Sequence, residues 1–222
     1  NKEDTVYYAA ILKEHFTKAV DLLSDIVFHS LYPQSEINKE IEVICDEIES
    51  YNDSPAELIY DLFENIIFHG HPLGHNILGD AWQLRTYNSE TAKTFTQRFY
   101  KPQNAVFFAY GDINFDNLVD LLKKRTKGFG VQKPIIGDAD IVAPLPAYQP
   151  TTKCIEKGTH QTHVMIGNRA YSVHDERRIA LYLLNNIIGG PSMNARLNLS
   201  LRERYGLVYT VESTMVSYSD TG

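Results

Sequence analysis

The sequence has little cysteine, no long hydrophobic run and no excess of positive charge, and each shortage removes a class of function. Its 222 residues hold two cysteines, Cys45 and Cys154, too few and too far apart for a disulfide framework or a C-x-x-C metal or redox site. Both read as bland buried thiols. No apolar stretch approaches the roughly 18 to 20 residues that span a bilayer, and Glu3, Asp4, Lys13 and Glu14 are out of place in a signal peptide. Lysine plus arginine total 21 against 28 aspartates and glutamates, a formal charge of −7 that disfavours a nucleic acid held by a basic surface. G-x-G-x-x-G, a P-loop, a nucleophile elbow and a Ser-His-Asp order are also missing, so nucleotide chemistry has no support. What is present, 43% hydrophobic and 22% charged residues, suits one large globular domain or two small ones.

The chain opens at Asn1-Lys2-Glu3-Asp4 without a methionine, runs directly into the strand-like stretch Thr5 to Leu12, and stops on the turn signal Ser219 to Gly222. The expectation is a segment of a longer protein. Helical spacing of Val20, Leu23, Ile26 and Val27 predicts a helix capped by Thr17 and ended before Tyr32-Pro33. Ile37, Ile41, Ile44, Ile48 and Tyr51 predict a second, capped by Ser35, with one buried stripe. Ser54-Pro55-Ala56-Glu57 is a capping box that starts a third. His69 to His75, with two glycines and a proline, is a loop; a helix capped near Asn88 or Ser89 follows, then a buried strand from Ala105 to Tyr110 and a helix from Asp116 to Lys124. Pro134, Pro144, Pro146 and Pro150 mark a linker. Beyond it come strands at His160 to Ile166 and Leu207 to Ser217, and helices from about Asp175 to Ile188 and Met193 to Arg204. The expected architecture is α+β: two related two-layer units, each a mainly antiparallel sheet packed with helices, the second truncated.

Eight histidines invite a metal reading. His71 and His75 do not form H-E-x-x-H, because Pro72 and Gly74 break the helix and no glutamate lies between them. The His69, His71, His75 loop stays open as a three-histidine site, beside the plainer reading of histidines hydrogen-bonded within a tight turn. His160 and His163 are three apart on a predicted strand and point to opposite faces. Glu40 and Glu47, two helical turns apart, project from one strip beside the isoleucine stripe. They are a candidate functional pair, although glutamate is also an ordinary helix-surface residue. Arg202 and Tyr209 flank Gly206 where helix passes to strand, which can aim a guanidinium and a phenol at one ligand.

Several segments in order carry a family resemblance: Asn1 to Tyr8; Glu40 to Tyr51 with Asp53-Ser54-Pro55; Phe68-x-x-His71-Pro72-Leu73-Gly74; and Tyr100-x-Pro102-x-Asn104 to Gly111-Asp112. Gln161 to Val164, Leu184 to Gly190 and Leu201 to Tyr209 continue the series. Together they resemble the insulinase and pitrilysin family of inverted-motif zinc peptidases, in its shorter branch related to the mitochondrial processing peptidase. The resemblance implies a Zn²⁺ held by two histidines of an H-x-x-E-H helix and one later glutamate, with the motif's own glutamate as base. Glu47 matches the third ligand, Glu40 the supporting carboxylate, and Arg202 with Tyr209 the clamp that holds the substrate backbone. It also implies a peptide or unfolded-protein substrate bound as an added strand between domains, and a homodimer or a pairing of active and inactive subunits.

H-x-x-E-H itself is absent. In the family it precedes the glutamate ligand by roughly seventy residues or more, so it would fall upstream of Asn1. The sequence thus leads to an enzyme segment, metal-free and inactive alone, of a zinc endopeptidase: residues 1–130 the later part of the catalytic domain, 131–153 a linker, 154–222 the start of the homologous second domain. The competing expectation is a non-catalytic partner that holds peptide for another subunit's zinc. A cytoplasmic location is favoured over a periplasmic one.

Overall fold

The computed structural model describes residues 1–130 and 145–222. The predicted linker lies largely outside the described residues, at 131–144. Two compact units are present, Asn1–Pro146 with Cys154–His163, and Ala147–Lys153 with Val164–Gly222.

The first unit contains α1 (Phe16–Phe28), α2 (Gln34–Asn52), α3 (Pro55–Ile67), the short α4 (Ala81–Leu84), α5 (Ser89–Phe99) and α6 (Phe115–Arg125). Local chemistry explains most boundaries. Asn88 accepts from the Glu90 and Thr91 amides at 3.0 Å each and caps α5. Asn114 does the same for α6 through the Asn117 amide, and Lys123, Lys124 and Arg125 sit at its C-terminus, where the helix dipole favours cations. Pro55 opens α3 with Ser54 at the cap position, yet the Ser54 hydroxyl makes no capping bond. Thr17 and Ser35 lie inside their helices, which begin at Phe16 after His15 and at Gln34 after Pro33.

Two packing centres hold this unit. Val20 of α1 and Leu118 of α6 are buried where those helices meet, tied further by the Asp21 to Arg125 ion pair at 2.6 Å. Ile41 and Cys45 of α2, Leu58 and Ile67 of α3, and Phe68 and Leu73 form the other. Cys154, expected to be buried, is exposed.

The expected antiparallel sheets are not there. Among the described residues no strand ladder is formed, and the two units are helical. Residues 7–13 do run beside 100–112: the Tyr7 and Tyr100 hydroxyls are 3.2 Å apart and Lys13 pairs with Asp112. These are side-chain contacts, without the repeated backbone bonds that make a ladder. A helix closes its hydrogen bonds within its own sequence, whereas a strand needs a partner in register from elsewhere. Val106, Phe108 and Tyr110, alternate residues of the predicted strand, are 96%, 83% and 95% exposed, so no second layer covers their face.

The second unit contains α7 (Arg177–Gly189) and a π-helix (Asn198–Arg204), followed by a stretch without helix or strand. Among the described residues its return path carries isolated backbone bonds, Ala170 N–H to Gly222 O at 2.6 Å and Val173 N–H to Tyr218 O at 2.8 Å.

Candidate functional site

The carboxylate pair sits on α2. Burial of Ile41 and Cys45 turns one face of this helix toward α3 and α4, which leaves Glu40 and Glu47 exposed on the remaining surface. One turn beyond Glu47, Tyr51 reaches an acidic neighbourhood. Burial pushes its phenol above the ordinary value, and the carboxylates of Asp61, Glu57 and Glu64 push the same way. The Asp61 carboxyl is itself raised, chiefly by burial, with the Lys2 ammonium opposing and Glu64 adding to the rise.

Lys2 is the residue that sequence reasoning missed. Its side chain is 9% exposed, and its Nζ donates to the carbonyls of Leu73 at 2.9 Å and His75 at 2.6 Å while pairing with Glu64 at 2.8 Å. A nearly buried ammonium needs such a full set of acceptors. It joins the start of the chain to α3 and to the histidine loop. That loop is a packed turn: Pro72–Gly74 forms one 3₁₀ turn, and the buried His71 accepts from the Leu73 amide through Nδ1 at 3.3 Å. Gly74 is required there, since a Cβ would lie 2.5 Å from the Phe68 carbonyl oxygen.

No group of three or more His, Cys, Asp or Glu side chains able to hold a metal gathers among the described residues. The histidine loop is therefore not assembled as a three-ligand site. Glu47 is chemically suited to be one oxygen ligand of a zinc ion, but a lone carboxylate falls short of the usual four-coordinate set.

In the second unit α7 and the segment after the π-helix are stapled together. Ser213 N–H donates to Gly189 O at 2.7 Å, Asn185 Nδ2 donates to Ser213 O at 2.7 Å, and the Ser213 hydroxyl bonds Asn185 Oδ1. The approach is close enough that a Cβ on Gly189 would sit 2.6 Å from that of Ser213. The Gly189-Gly190 pair at the helix end was the available signal. Arg202 lies in the π-helix, 46% exposed, with Nε 3.6 Å from a Glu203 oxygen, too long for a hydrogen bond. Tyr209 is 93% exposed and so is not a core residue of this unit.

Residues 86–222 match the family described as Peptidase M16 inactive domain, and residues 1–81 match Insulinase (Peptidase family M16). The chain belongs to peptidase family M16. An uncharacterized zinc protease of this kind, YmxG of Bacillus subtilis, is 33% identical over 228 residues, covering 100% of this chain and 53% of that protein. Another, from Rickettsia bellii, is 32% identical over 99% of this chain and 52% of its own length. The M16 chain thus spans about half the length of the curated relatives it matches. Among solved structures, a protease from Helicobacter pylori has a TM-score of 0.74 at 18% identity, covering 95% of this chain and 51% of that one. A peptidase M16 inactive domain from Pseudomonas fluorescens has a TM-score of 0.69 at 18% identity, over 94% of this chain and 50% of that one. At that identity the two structures establish a shared fold. No helix of the described residues is long and apolar enough to cross a membrane.

Proposed function

We propose that these 222 residues work as part of a longer zinc endopeptidase of the shorter, processing-peptidase-like branch, which cleaves peptides or unfolded polypeptides. What carries this reading is membership of family M16 across both halves of the chain, combined with an accessible Glu47 on α2. Glu47 would serve as the third zinc ligand, beside two histidines from outside these residues, and Glu40 would support it from two turns away. Zinc, when bound, supplies Lewis-acid chemistry for amide hydrolysis. The chain's own contribution is to bind and orient: Arg202 and Tyr209 would donate to the substrate backbone, and Glu40 would steady the Glu47 carboxylate. Residues 1–130 would be the later part of the catalytic domain and 154–222 the start of the second. Alone, the 222 residues would be metal-free and inactive.

A second reading is a non-catalytic partner that presents peptide to an active subunit, and the description of the 86–222 match as an inactive domain favours it. Elemental analysis of the full-length protein separates the two. Under the enzyme reading Glu47→Gln lowers zinc retention about tenfold or more, while Glu40→Gln lowers turnover more than metal content. Zinc and turnover untouched by Glu47→Gln would remove Glu47 from the ligand set. A full-length protein that never takes up zinc would establish the partner reading.

A further inference from the structure

The π-helix is the least expected element of the molecule, and it coincides with the residue proposed to grip substrate. Such windings are rare and mostly appear as single turns, often at functional sites. Here seven residues, Asn198 to Arg204, are wound this way. The Tyr205 amide bonds Ser200 O, five residues back, at 3.1 Å, and the Leu207 amide bonds Leu201 O, six back, at 2.9 Å. Before it, the Leu199 amide still bonds Ala195 O at 3.0 Å in ordinary α spacing.

Winding decides direction. Leu197 Cδ1 lies 3.0 Å from where a Cβ of Gly189 would be, so the Leu197 side of the segment faces the α7 and Ser213 staple. An α-helix turns about 100° per residue, which would leave Arg202 roughly 140° around from Leu197. A π winding turns less, about 80 to 90° per residue, and brings Arg202 to roughly 65°. The wider winding therefore turns the Arg202 position toward the Leu197 side of the segment, the side that meets the α7 and Ser213 staple.

Gly206 closes the turn. Its φ of +59° is left-handed, its amide bonds Arg202 O at 3.1 Å, and no atom of a described residue beyond its chain neighbours lies within 4 Å of where its Cβ would be. Space is available for a side chain, so the need for glycine is conformational. We propose that the π-helix closed by Gly206 is the positioning device of the substrate clamp, and that Gly206 is a positioning residue acting through the Arg202 carbonyl. This rests on the reading of Arg202 and Tyr209 as the clamp.

The test measures binding of a fluorescein-labelled, unstructured 20-residue peptide to the full-length protein, with metal removed by chelator so that no turnover intervenes. The Arg202 Nε–Hε NMR signal is followed during the same titration. Gly206→Ala should weaken binding about fivefold or more, because non-glycine residues in the left-handed region cost about a factor of that size. It should also abolish the peptide-induced movement of the Arg202 signal. Gly206→Asn, which tolerates that region, should bind within about twofold of the parent. Deletion of Ser200, which returns the segment to α spacing, should behave as Gly206→Ala does; if that variant does not fold, the alanine and asparagine pair decides alone. Parental binding by Gly206→Ala, or equal losses in alanine and asparagine variants, would overturn the positioning role while Arg202→Ala still weakens binding. If Arg202→Ala itself binds like the parent, the clamp reading fails first and takes this inference with it.

Discussion

Replacing Gly189 by alanine puts a methyl group where the second unit has no room for one. The new Cβ would lie 2.6 Å from Ser213 Cβ, 3.0 Å from the Ser213 amide nitrogen and 3.0 Å from Leu197 Cδ1. Leu197 can rotate away, but Ser213 cannot retreat freely. Its amide is bonded to Gly189 O at 2.7 Å and its carbonyl to Asn185 Nδ2 at 2.7 Å, so a shift that relieves the clash lengthens both. Helix propensity favours alanine over glycine by about 1 kcal/mol in a helix interior, and by less at Gly189, the last residue of α7. Against that stand about 1–3 kcal/mol of overpacking and about 1 kcal/mol for a weakened hydrogen bond. The balance is a loss of about 1–3 kcal/mol. For a chain of this length each kcal/mol moves the midpoint by about 2–4 °C, so thermal unfolding followed by circular dichroism should show a drop of about 3–10 °C. Gly128→Ala is the control, since no atom of a described residue beyond its chain neighbours lies within 4 Å of its Cβ position, and it should stay within about 0.5 kcal/mol of the parent. Adding Ser213→Gly to Gly189→Ala removes one of the clashing atoms and should recover part of the loss. A Gly189→Ala protein as stable as the parent, or more stable, would refute the packing argument and leave only the propensity term.

Gly74→Ala meets backbone rather than side chain, with its Cβ 2.5 Å from Phe68 O, so urea unfolding should show a loss of at least about 1 kcal/mol. Asn88→Ala removes the acceptor for two amides at the start of α5 and should cost about 1 kcal/mol by the same assay. Asp61 gives a pH-dependent case: its carboxyl is raised in the folded state, so the unfolded chain ionises it more readily and stability falls as pH rises from the ordinary carboxylate value through the raised one. Asp61→Asn should accordingly raise the thermal midpoint at pH 7 and leave it nearly unchanged at pH 3, and an equal shift at both pH values would remove ionisation from the explanation.

Helices were the legible part of this chain because their signals are local. The stripe of Ile37, Ile41, Ile44 and Ile48 located α2, and Asn88 and Pro55 located the starts of α5 and α3 within a residue. Caps that depend on a hydroxyl were less legible: Thr17 and Ser35 entered their helices, and Ser54 holds the cap position without its bond. The predicted sheets failed for the opposite reason. Branched and aromatic residues make 105–110 and 207–217 fit for strands, but a ladder depends on a partner segment that local composition does not specify.

Charge balance, the helix that carries Glu40 and Glu47, and the ordered motifs that mark an M16 peptidase chain were all legible without the fold. Periodicity, charge and motif order are properties of neighbouring residues along one chain. Packing across the fold made Lys2 a nearly buried tether of the histidine loop, required Gly189 to lack a side chain so as to admit Ser213, and put Arg202 on a π-helix rather than an α-helix. The first two depend on atoms brought together across 71 and 24 residues of sequence, and the third on a change of winding within one short segment, none of which local propensity encodes.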